Sequence, residues 1–259
     1  MSLKLTFLGT GTSVGVPQIG CDCKVCASPD SRDKRRRSGV YVESSKAAFI
    51  IDTPPEFRVA CIELGIRKVD AIVFTHAHMD HIAAFDDVRR FNTLNNSSPM
   101  RCYAAAETIA SIRNVFPYIS DKSNALGLYR PMINFVPVSD PFMIGDIKVT
   151  PLPVDHGPRT NGYRMDLNGA SIAYISDCSN IPDSTKCLLE NLDVLILDCL
   201  RKREHPTHLN FETALAYMNE LKPKRGYFTH ICHDISHKEY ENALPPHIRP
   251  AYDGLEITA

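Results

Sequence analysis

Four short apolar segments of this chain, all of strand type, run directly into a residue that can bind a metal ion. The segments span 71–75, 152–154, 173–176 and 226–229, and they lead to His76, Asp155 with His156, Asp177, and His230. A single histidine at a strand end is more often a hydrogen-bonded residue than a ligand. Strands that end at one edge of a sheet would, however, hold all these side chains together on a rigid scaffold. The recurrence therefore predicts a site at one sheet edge.

The densest group of such residues is the heptapeptide from Thr75 to His81. Its three imidazoles and one carboxylate offer the nitrogen and oxygen donors that suit zinc, manganese or iron. In an extended turn His76 and His78 point the same way and can share one ion. Asp80 and His81, at the start of the next helix, point toward a second ion. The motif therefore predicts two neighbouring metal ions.

Two ions close together need a bridging ligand, and Asp177 is the natural candidate because a carboxylate has two oxygens. His156 is then left to complete the first site, and His230 to complete the second.

Strand patterns mixed with helical patterns indicate an α/β class. The predicted strands span 3–8, 39–43, 47–51, 71–75, 132–137, 147–154, 162–167, 171–176, 194–197 and 226–229. The predicted helices span 56–64, 82–92, 107–116, 211–221 and 237–244. No linker or repeat divides the chain, so we expect one domain over 1–259, with an insertion over the core near 93–141.

Charge and composition exclude several classes of protein. The 259 residues contain 29 Lys and Arg against 30 Asp and Glu, and 44% are hydrophobic. This balance gives a globular chain with no overall attraction to nucleic acid or anionic lipid. No apolar run approaches the roughly 20 residues of a membrane span, and the apolar start is too short for a signal peptide. We expect a cytoplasmic protein with neither a membrane nor a nucleic acid as partner.

Three of the nine cysteines lie together in a loop at 20–27, as Cys21, Cys23 and Cys26. Three thiolates so close together predict a tetrahedral structural zinc site that takes its fourth ligand from elsewhere. His233, three residues after His230, is our choice for that ligand, and the neighbouring Cys232 is the competing one.

The H-x-H-x-D-H pattern after a strand, followed by later His, Asp and His at strand ends, resembles the metallo-β-lactamase superfamily over the whole chain. The resemblance implies an αββα four-layer sandwich of two mixed β-sheets, with two divalent ions, Mn²⁺ or Zn²⁺, at the edge where strands of both sheets end. It implies that one ion is bound by His76, His78 and His156, that the other is bound by Asp80, His81 and His230, and that Asp177 bridges them. Asp52 matches the early Asp of the superfamily, which orients a ligand.

Three further segments are similar to the PhnP family of cyclic phosphodiesterases, namely the opening 8–17, the cysteine loop, and 229–233. This family hydrolyses 5-phosphoribosyl 1,2-cyclic phosphate and carries a structural zinc whose ligands match Cys21, Cys23, Cys26 and His233. Its catalytic histidine matches His208. The resemblance also suggests a homodimer. The segments 93–141 and 201–205 have no counterpart that we can place.

A phosphodiester is anionic and resists hydroxide, so two metals help by activating a bound water, whose hydroxide attacks phosphorus, and by neutralising phosphoryl oxygens. Expulsion of a sugar alkoxide benefits from a proton, which a histidine near neutrality can deliver. We therefore predict His208 and Asp80 as the catalytic residues. As an isolated residue, His208 could instead cap the helix that begins near Asn210.

Substrate contacts are expected from residues beside these motifs. Thr12 and Ser13 lie among Gly9, Gly11 and Gly15, where backbone N–H groups could meet phosphate oxygens, although a plain tight turn explains the glycines equally well. The run Lys34 to Arg37 is typical of a solvated loop, with Arg37 as the exception that contacts a phosphate. Arg159, just past His156, is the last expected contact.

Three other functions remain open. A transfer-RNA 3′-end processing nuclease shares the metal motif, but it grips RNA with an extended arm and a basic surface, neither of which is evident here. A lactamase or thioester hydrolase fits the cysteine loop and the His208 segment less well. An inactive zinc-stabilised interaction module is disfavoured because all seven predicted active-site ligands are present.

Overall fold

The computed structural model describes residues 2–120 and 129–259. The strands are β1 (Lys4–Gly9), β2 (Gly39–Glu43), β3 (Ala48–Ile51), β4 (Ala71–Val73), β5 (Met100–Ala104), β6 (Ile133–Pro137), β7 (Phe142–Ile144), β8 (Ile147–Val154), β9 (Thr160–Leu167), β10 (Ala170–Ile175), β11 (Val194–Asp198), β12 (Arg225–Thr229), β13 (Ile248–Pro250) and β14 (Glu256–Thr258). The helices are α1 (Phe57–Glu63), α2 (Met79–Ile82), α3 (Arg89–Leu94), α4 (Ala106–Val115), α5 (Pro117–Ser120), α6 (Asp183–Lys186), α7 (Phe211–Leu221) and α8 (His237–Ala243).

The strands form two seven-stranded sheets, with the orders β14-β1-β2-β3-β4-β5-β6 and β13-β12-β11-β10-β9-β8-β7. Each sheet is antiparallel on one side and parallel on the other. The parallel parts run from β3 to β6 in the first sheet and from β10 to β13 in the second. Parallel strands end at one edge of a sheet, so the residues after β4, β10 and β12 are brought to shared edges.

The two sheets pack face to face, and helices cover their outer faces. In β3, Phe49 and Ile51 point into the core between the sheets, whereas Ile50 points toward the helices. On the outer face of the second sheet, Ala214 and Met218 of α7 are buried. Strands that are covered on both faces appear in the sequence as continuous apolar runs. The predicted αββα sandwich of two mixed sheets is therefore confirmed.

The segment 93–141 does not lie over the core as an insertion, so this prediction is wrong. Its strands β5 and β6 continue the parallel part of the first sheet, with Cys102 paired to Phe135. The sequence pattern does not indicate β5, because the exposed Arg101 interrupts the apolar run of an otherwise buried strand. Residues 121–128 of the segment lie outside the described part of the chain.

Two other differences concern short elements. The strands β7, β13 and β14 have three residues each and were not predicted, because pairing with a neighbouring strand defines them rather than their own pattern. The helix predicted over 82–92 is divided into α2, a 3₁₀ turn at Phe85–Val88, and α3. None of the described helices is long and apolar enough to cross a membrane.

Candidate metal centre

The first cluster of the site consists of His76 and His78, which follow β4, and His156, which follows β8. The Nε2 atom of His76 lies 2.9 Å from Nδ1 of His78, and Nε2 of His156 lies 3.2 Å from that same Nδ1. His76 and His156 are buried, whereas His78 is exposed. Three imidazole nitrogens that converge on one another fit a shared cation.

The second cluster consists of Asp80 and His81 at the start of α2, Asp177 after β10, and His230 after β12. The Nε2 atom of His81 lies 3.3 Å from Oδ2 of Asp80 and 3.2 Å from Oδ2 of Asp177. The Nε2 atom of His230 lies 3.2 Å from Oδ1 of Asp177. One ligand atom of each of the four side chains lies within 4.8 Å of the others.

Asp177 lies between the two clusters. Its Oδ1 atom is 3.2 Å from His230 of the second cluster and 3.9 Å from Nε2 of His156 in the first. The side chain is almost fully buried. A carboxylate in this position can be shared by two cations, and the bridging role of Asp177 stays a prediction.

Several buried atoms of these clusters have no hydrogen-bond partner in the described part of the chain. They are His81 Nε2, both ring nitrogens of His230, and Asp177 Oδ2. An unpaired buried polar atom costs about 1–3 kcal/mol, so such atoms rarely converge without a ligand. The residues present therefore fit divalent cations.

Electrostatics favour a cation as well. Burial holds the pKa of His76 well below its usual value, so its ring is neutral and has a lone pair to donate. In the second cluster burial opposes the charged form of His81, but Asp177, Asp52 and Asp80 outweigh burial and raise its pKa well above the usual value. The three carboxylates thus favour a positive charge at His81, and a divalent cation bound to this cluster would supply one.

Asp52 contacts side chains of both clusters, His81 directly and His76 through Thr75. Its Oδ2 atom lies 2.7 Å from Nδ1 of His81, and it also accepts the Thr75 hydroxyl at 2.8 Å. Because the hydroxyl donates to Asp52, its oxygen accepts from Nδ1 of His76 at 2.9 Å. Both imidazoles thus carry a proton on Nδ1 and present Nε2 to the clusters. Asp52 is fully buried and has a left-handed backbone, with φ at 66°.

His208 lies against both clusters without belonging to either proposed ligand set. Its ring is stacked on His230 with centroids 4.6 Å apart, and its centroid is 4.7 Å from that of His156. The cap of α7 is Asn210, whose side chain accepts the Thr213 N–H, so His208 does not cap the helix.

Asp198, the last residue of β11, was missed by the sequence reasoning. Its Oδ2 atom lies 2.9 Å from Nδ1 of His208 and also accepts the backbone N–H groups of Cys178 and Leu209. The side chain is fully buried. The signal that pointed to the predicted metal ligands, a polar residue ending an apolar strand, applies here too, but the predicted strand stopped at Leu197.

The cysteine loop meets His233 as expected. The Sγ atoms of Cys21, Cys23 and Cys26 lie 3.3, 3.3 and 3.4 Å from Nδ1 of His233. The N–H of Cys26 lowers the pKa of the Cys23 thiol to about 6, which favours the thiolate that binds metals. Cys232 is outside this group, and burial raises the pKa of its thiol to about 12.

The run Lys34 to Arg37 is not a solvated loop, so that prediction is wrong. Arg35 is buried and donates to the carbonyl of Ala251. Arg37 forms an ion pair with Glu56 and donates to the carbonyl of Ser13. These contacts tie the run to neighbouring elements. Contact of Arg37 with a substrate phosphate stays a prediction.

The glycines at the end of β1 have a packing role. A Cβ atom at Gly9 would overlap the carbonyl oxygen of Arg37, and one at Gly11 would lie 2.9 Å from Cβ of Arg35. Glycine is therefore required at these two positions for the end of β1 to pack against residues 35–37.

The remaining predicted substrate contacts lie near the clusters. The Thr12 N–H donates to the carbonyl of Ile231, the residue after His230, and Ser13 next to it is exposed. Arg159 is exposed and lines a cavity of about 400 Å³ together with His156. Their roles toward a substrate stay predictions.

Comparison with known proteins gives the class of this protein. Residues 34–231 match the family model described as the beta-lactamase superfamily domain. This match covers more than half of the chain, so the chain belongs to the metallo-β-lactamase superfamily.

A crystal structure of a diphosphatase from the PhnP family resembles this structure with a TM-score of 0.92, at 40% identity, covering 100% of this chain and 98% of that one. The chain is therefore a member of the PhnP family within the superfamily. Human tRNase Z, short form, shares the fold alone, with a TM-score of 0.70 and 17% identity over 98% of each chain.

A protein of Porphyromonas gingivalis named octanoyltransferase is 32% identical over 262 residues. The alignment covers 98% of this chain and 51% of that protein. This chain thus spans about half the length of that curated relative.

Proposed function

We propose that this protein is a metal-dependent phosphodiesterase that hydrolyses a small cyclic phosphate such as 5-phosphoribosyl 1,2-cyclic phosphate. The observation that carries the proposal is the position of Asp177 between two ligand clusters, with the His208–Asp198 pair beside them. Two cation sites with a proton donor next to them suit an anionic ester whose leaving group needs a proton.

Two divalent ions, Mn²⁺ or Zn²⁺, would be held by the clusters. The first would be bound by His76, His78 and His156, the second by Asp80, His81 and His230, and Asp177 would contact both. Such ions lower the pKa of a bound water and neutralise phosphoryl oxygens. Asp52 keeps His76 and His81 in the tautomer that binds metal, directly or through Thr75.

His208 supplies the proton for the departing oxygen. Asp198 accepts the hydrogen on Nδ1, so Nε2 is the nitrogen that exchanges a proton with the substrate. The fixed ring costs no reorientation when the proton is transferred.

Cys21, Cys23, Cys26 and His233 would hold a structural zinc ion. His233 follows His230 by three residues, so such an ion would join the cysteine loop to the segment that carries a ligand of the second cluster. Its contribution would be to folding, not to the reaction.

Hydrolysis of a diphosphate is the second candidate, because the PhnP-family protein that is 40% identical is a diphosphatase. Both reactions present an anionic phosphorus to the same clusters. We also propose that the substrate is a small molecule rather than a nucleic acid, and that the protein is a homodimer, which light scattering would test.

The proposal is tested by metal analysis combined with a substrate panel. The panel contains 5-phosphoribosyl 1,2-cyclic phosphate, bis(p-nitrophenyl) phosphate, 2′,3′-cyclic nucleotides, a nucleoside diphosphate, a precursor transfer RNA and nitrocefin. We expect metal-dependent turnover of the cyclic phosphate, lost with a chelator and restored by Mn²⁺ or Zn²⁺. Turnover of only the transfer RNA or nitrocefin would refute the proposal, and preference for the diphosphate would favour the second candidate.

A further inference from the structure

Polar side chains cross the inner face of the second sheet next to the metal centre. Asp198 of β11 and Thr229 of β12 are paired in register at the ends of their strands. The alternation along β11 turns Ile196 into the core between the sheets, and it therefore turns Asp198 the same way. In β12, Tyr227 packs on that core, so Thr229 also points between the sheets.

The same line continues into the two neighbouring strands. Tyr174 of β10 pairs with Tyr163 of β9 and with Ile196 of β11, and all three point into the core between the sheets. Two residues closer to the metal centre, the same register and alternation place Ser176 after β10 and Asn161 in β9. Four residues thus form one line across the sheet, which we call the polar row: Asn161, Ser176, Asp198 and Thr229.

Each side chain of the polar row has a buried polar atom that lacks a hydrogen-bond partner among the described residues. These atoms are Oδ1 of Asn161, Oγ of Ser176, Oδ1 of Asp198 and Oγ1 of Thr229. The hydroxyl of Tyr174, one step deeper on the same face, and Nδ1 of His230 are buried and unpaired as well. Each such atom costs about as much free energy as a lost hydrogen bond, and six together would cancel much of the stability of a domain. These atoms therefore require a ligand between the sheets.

Water is the ligand that suits this set of atoms. Oδ1 of Asn161 and Oδ1 of Asp198 only accept hydrogen bonds, the hydroxyls donate and accept, and Nδ1 of His230 donates when Nε2 faces the cluster. A cation would serve the oxygen atoms but would oppose the N–H of His230, whereas water can donate to the former and accept from the latter. A buried water makes about three hydrogen bonds, so the six atoms require about two waters.

His230 connects one of these waters to the metal centre. In the same cluster, Nδ1 of His81 lies 2.7 Å from Asp52, which leaves its Nε2 to face the cluster. His230 likewise has Nε2 at 3.2 Å from Asp177, but no protein acceptor in the described ranges meets its Nδ1. A carboxylate oxygen of Asp198 and a ring nitrogen of His230 lie within 4.8 Å of each other. One water with two hydrogen bonds of about 2.8 Å spans roughly 4.5 Å, so it can join them.

We infer that the polar row binds at least two ordered water molecules between the sheets, and that one of them accepts the Nδ1 hydrogen of His230. Thr229 is then a positioning residue that acts on His230 through this water. The second part of the inference rests on the proposed function, because it takes His230 as a metal ligand. The first part depends only on the buried atoms of the row.

The first test locates and counts the waters. A high-resolution crystal structure of the wild type should show ordered water within hydrogen-bond distance of Thr229 Oγ1 and His230 Nδ1. Thr229→Val keeps the shape of the side chain but removes its hydroxyl, so oxygen-17 magnetic relaxation dispersion should count one long-lived internal water fewer than in the wild type. Thr150→Val is the control, because Thr150 is a buried threonine of β8 whose neighbour Val149 points into the core between the sheets, so that Thr150 itself points to the other face.

The second test measures metal binding without a substrate. After chelation of the cluster ions, the protein is titrated with Mn²⁺, which prefers nitrogen and oxygen donors to thiolates. Thr229→Val should bind one of two Mn²⁺ ions about tenfold more weakly than the wild type, as expected when a ligand loses the partner that orients it. Thr229→Ser keeps a hydroxyl and should restore most of the affinity, and Thr150→Val should bind both ions as the wild type does.

The outcomes separate this inference from the proposed function. A crystal structure without water at His230 Nδ1, or with an ion in its place, would overturn the inference, and so would an unchanged Mn²⁺ affinity of Thr229→Val. If Thr229→Val does not fold, Ser176→Ala removes the neighbouring hydroxyl of the row and takes its place in both measurements. A wild type that holds the water and Mn²⁺ as expected but cleaves no phosphate ester would support the inference and refute the proposed function.

Discussion

The contact between Asp198 and His208 gives the sharpest prediction about the proposed reaction. Asp198→Asn keeps the volume of a fully buried side chain and can still accept the N–H groups of Cys178 and Leu209 through its amide oxygen. Because Oδ2 makes all three contacts, an amide oxygen in its place still accepts from Nδ1 of His208, and the NH₂ group takes the place of Oδ1. The hydrogen bond to His208 then comes from a neutral amide instead of a charged carboxylate and is weaker, so the imidazole is held less firmly in its tautomer and orientation.

A general acid contributes about 10²- to 10⁴-fold to a rate, so His208→Ala should lower kcat by that much on an ester with an alkoxide leaving group. Loss of the carboxylate charge beside His208, with the weaker orientation of its ring, should cost roughly 10²-fold in Asp198→Asn, or about 2.7 kcal/mol of transition-state stabilisation. Because Asp198 acts through His208, the double variant should be no slower than His208→Ala. The coupling between the two residues would then equal nearly the whole effect of Asp198→Asn.

The assay measures kcat for all four proteins on 5-phosphoribosyl 1,2-cyclic phosphate and on bis(p-nitrophenyl) phosphate. The p-nitrophenolate group departs without a proton, so each variant should lose much less activity on the second substrate. Metal content and melting temperature serve as controls and should match the wild type. Additive effects of the two substitutions, or equal losses on both substrates, would refute the reasoning.

Three further outcomes are expected. Asp177→Asn should lower turnover by orders of magnitude and weaken metal binding, because the oxygen between the clusters loses its charge; near wild-type rates in metal-replete protein would exclude the bridge. Cys23→Ser should remove one zinc ion per chain and lower the melting temperature by roughly 10 °C, whereas Cys187→Ser, at an exposed cysteine, should do neither. Gly9→Ala should lower the free energy of unfolding by roughly 3 kcal/mol in denaturant titrations, because its Cβ overlaps the Arg37 carbonyl; an unchanged midpoint would show that the strand end can move away.

The elements that the sequence predicted well are those whose own apolar pattern and ends define them. The predicted bounds of β2, β8 and α7 agree with the structure, because each combines a continuous or periodic apolar pattern with a clear end. For the same reason, the sequence could predict that the side chains following β4, β8, β10 and β12 lie close together. A rigid strand whose core-facing residues are fixed leaves little freedom to the side chain at its end.

What the sequence did not reveal depends on partners distant in the chain. The strand β5 is defined by its neighbours β4 and β6, and the exposed Arg101 interrupts its pattern. The orientation of Arg35 depends on Ala251, more than 200 residues away, so a run of charges could not be recognised as partly buried. Asp198 acts on His208 across a turn whose closure is visible only in three dimensions.

The side chains of each cluster come from both β-sheets. His76 and His78 follow β4 of the first sheet, whereas His156 follows β8 of the second, and the other cluster is divided in the same way. An ion bound here would act as a crosslink between the two sheets and would close a loop of nearly eighty residues between His78 and His156. Removing the ions should therefore loosen this edge of the sandwich before the apolar core between the sheets, and amide hydrogen exchange should accelerate first at the ends of the strands that carry the ligands.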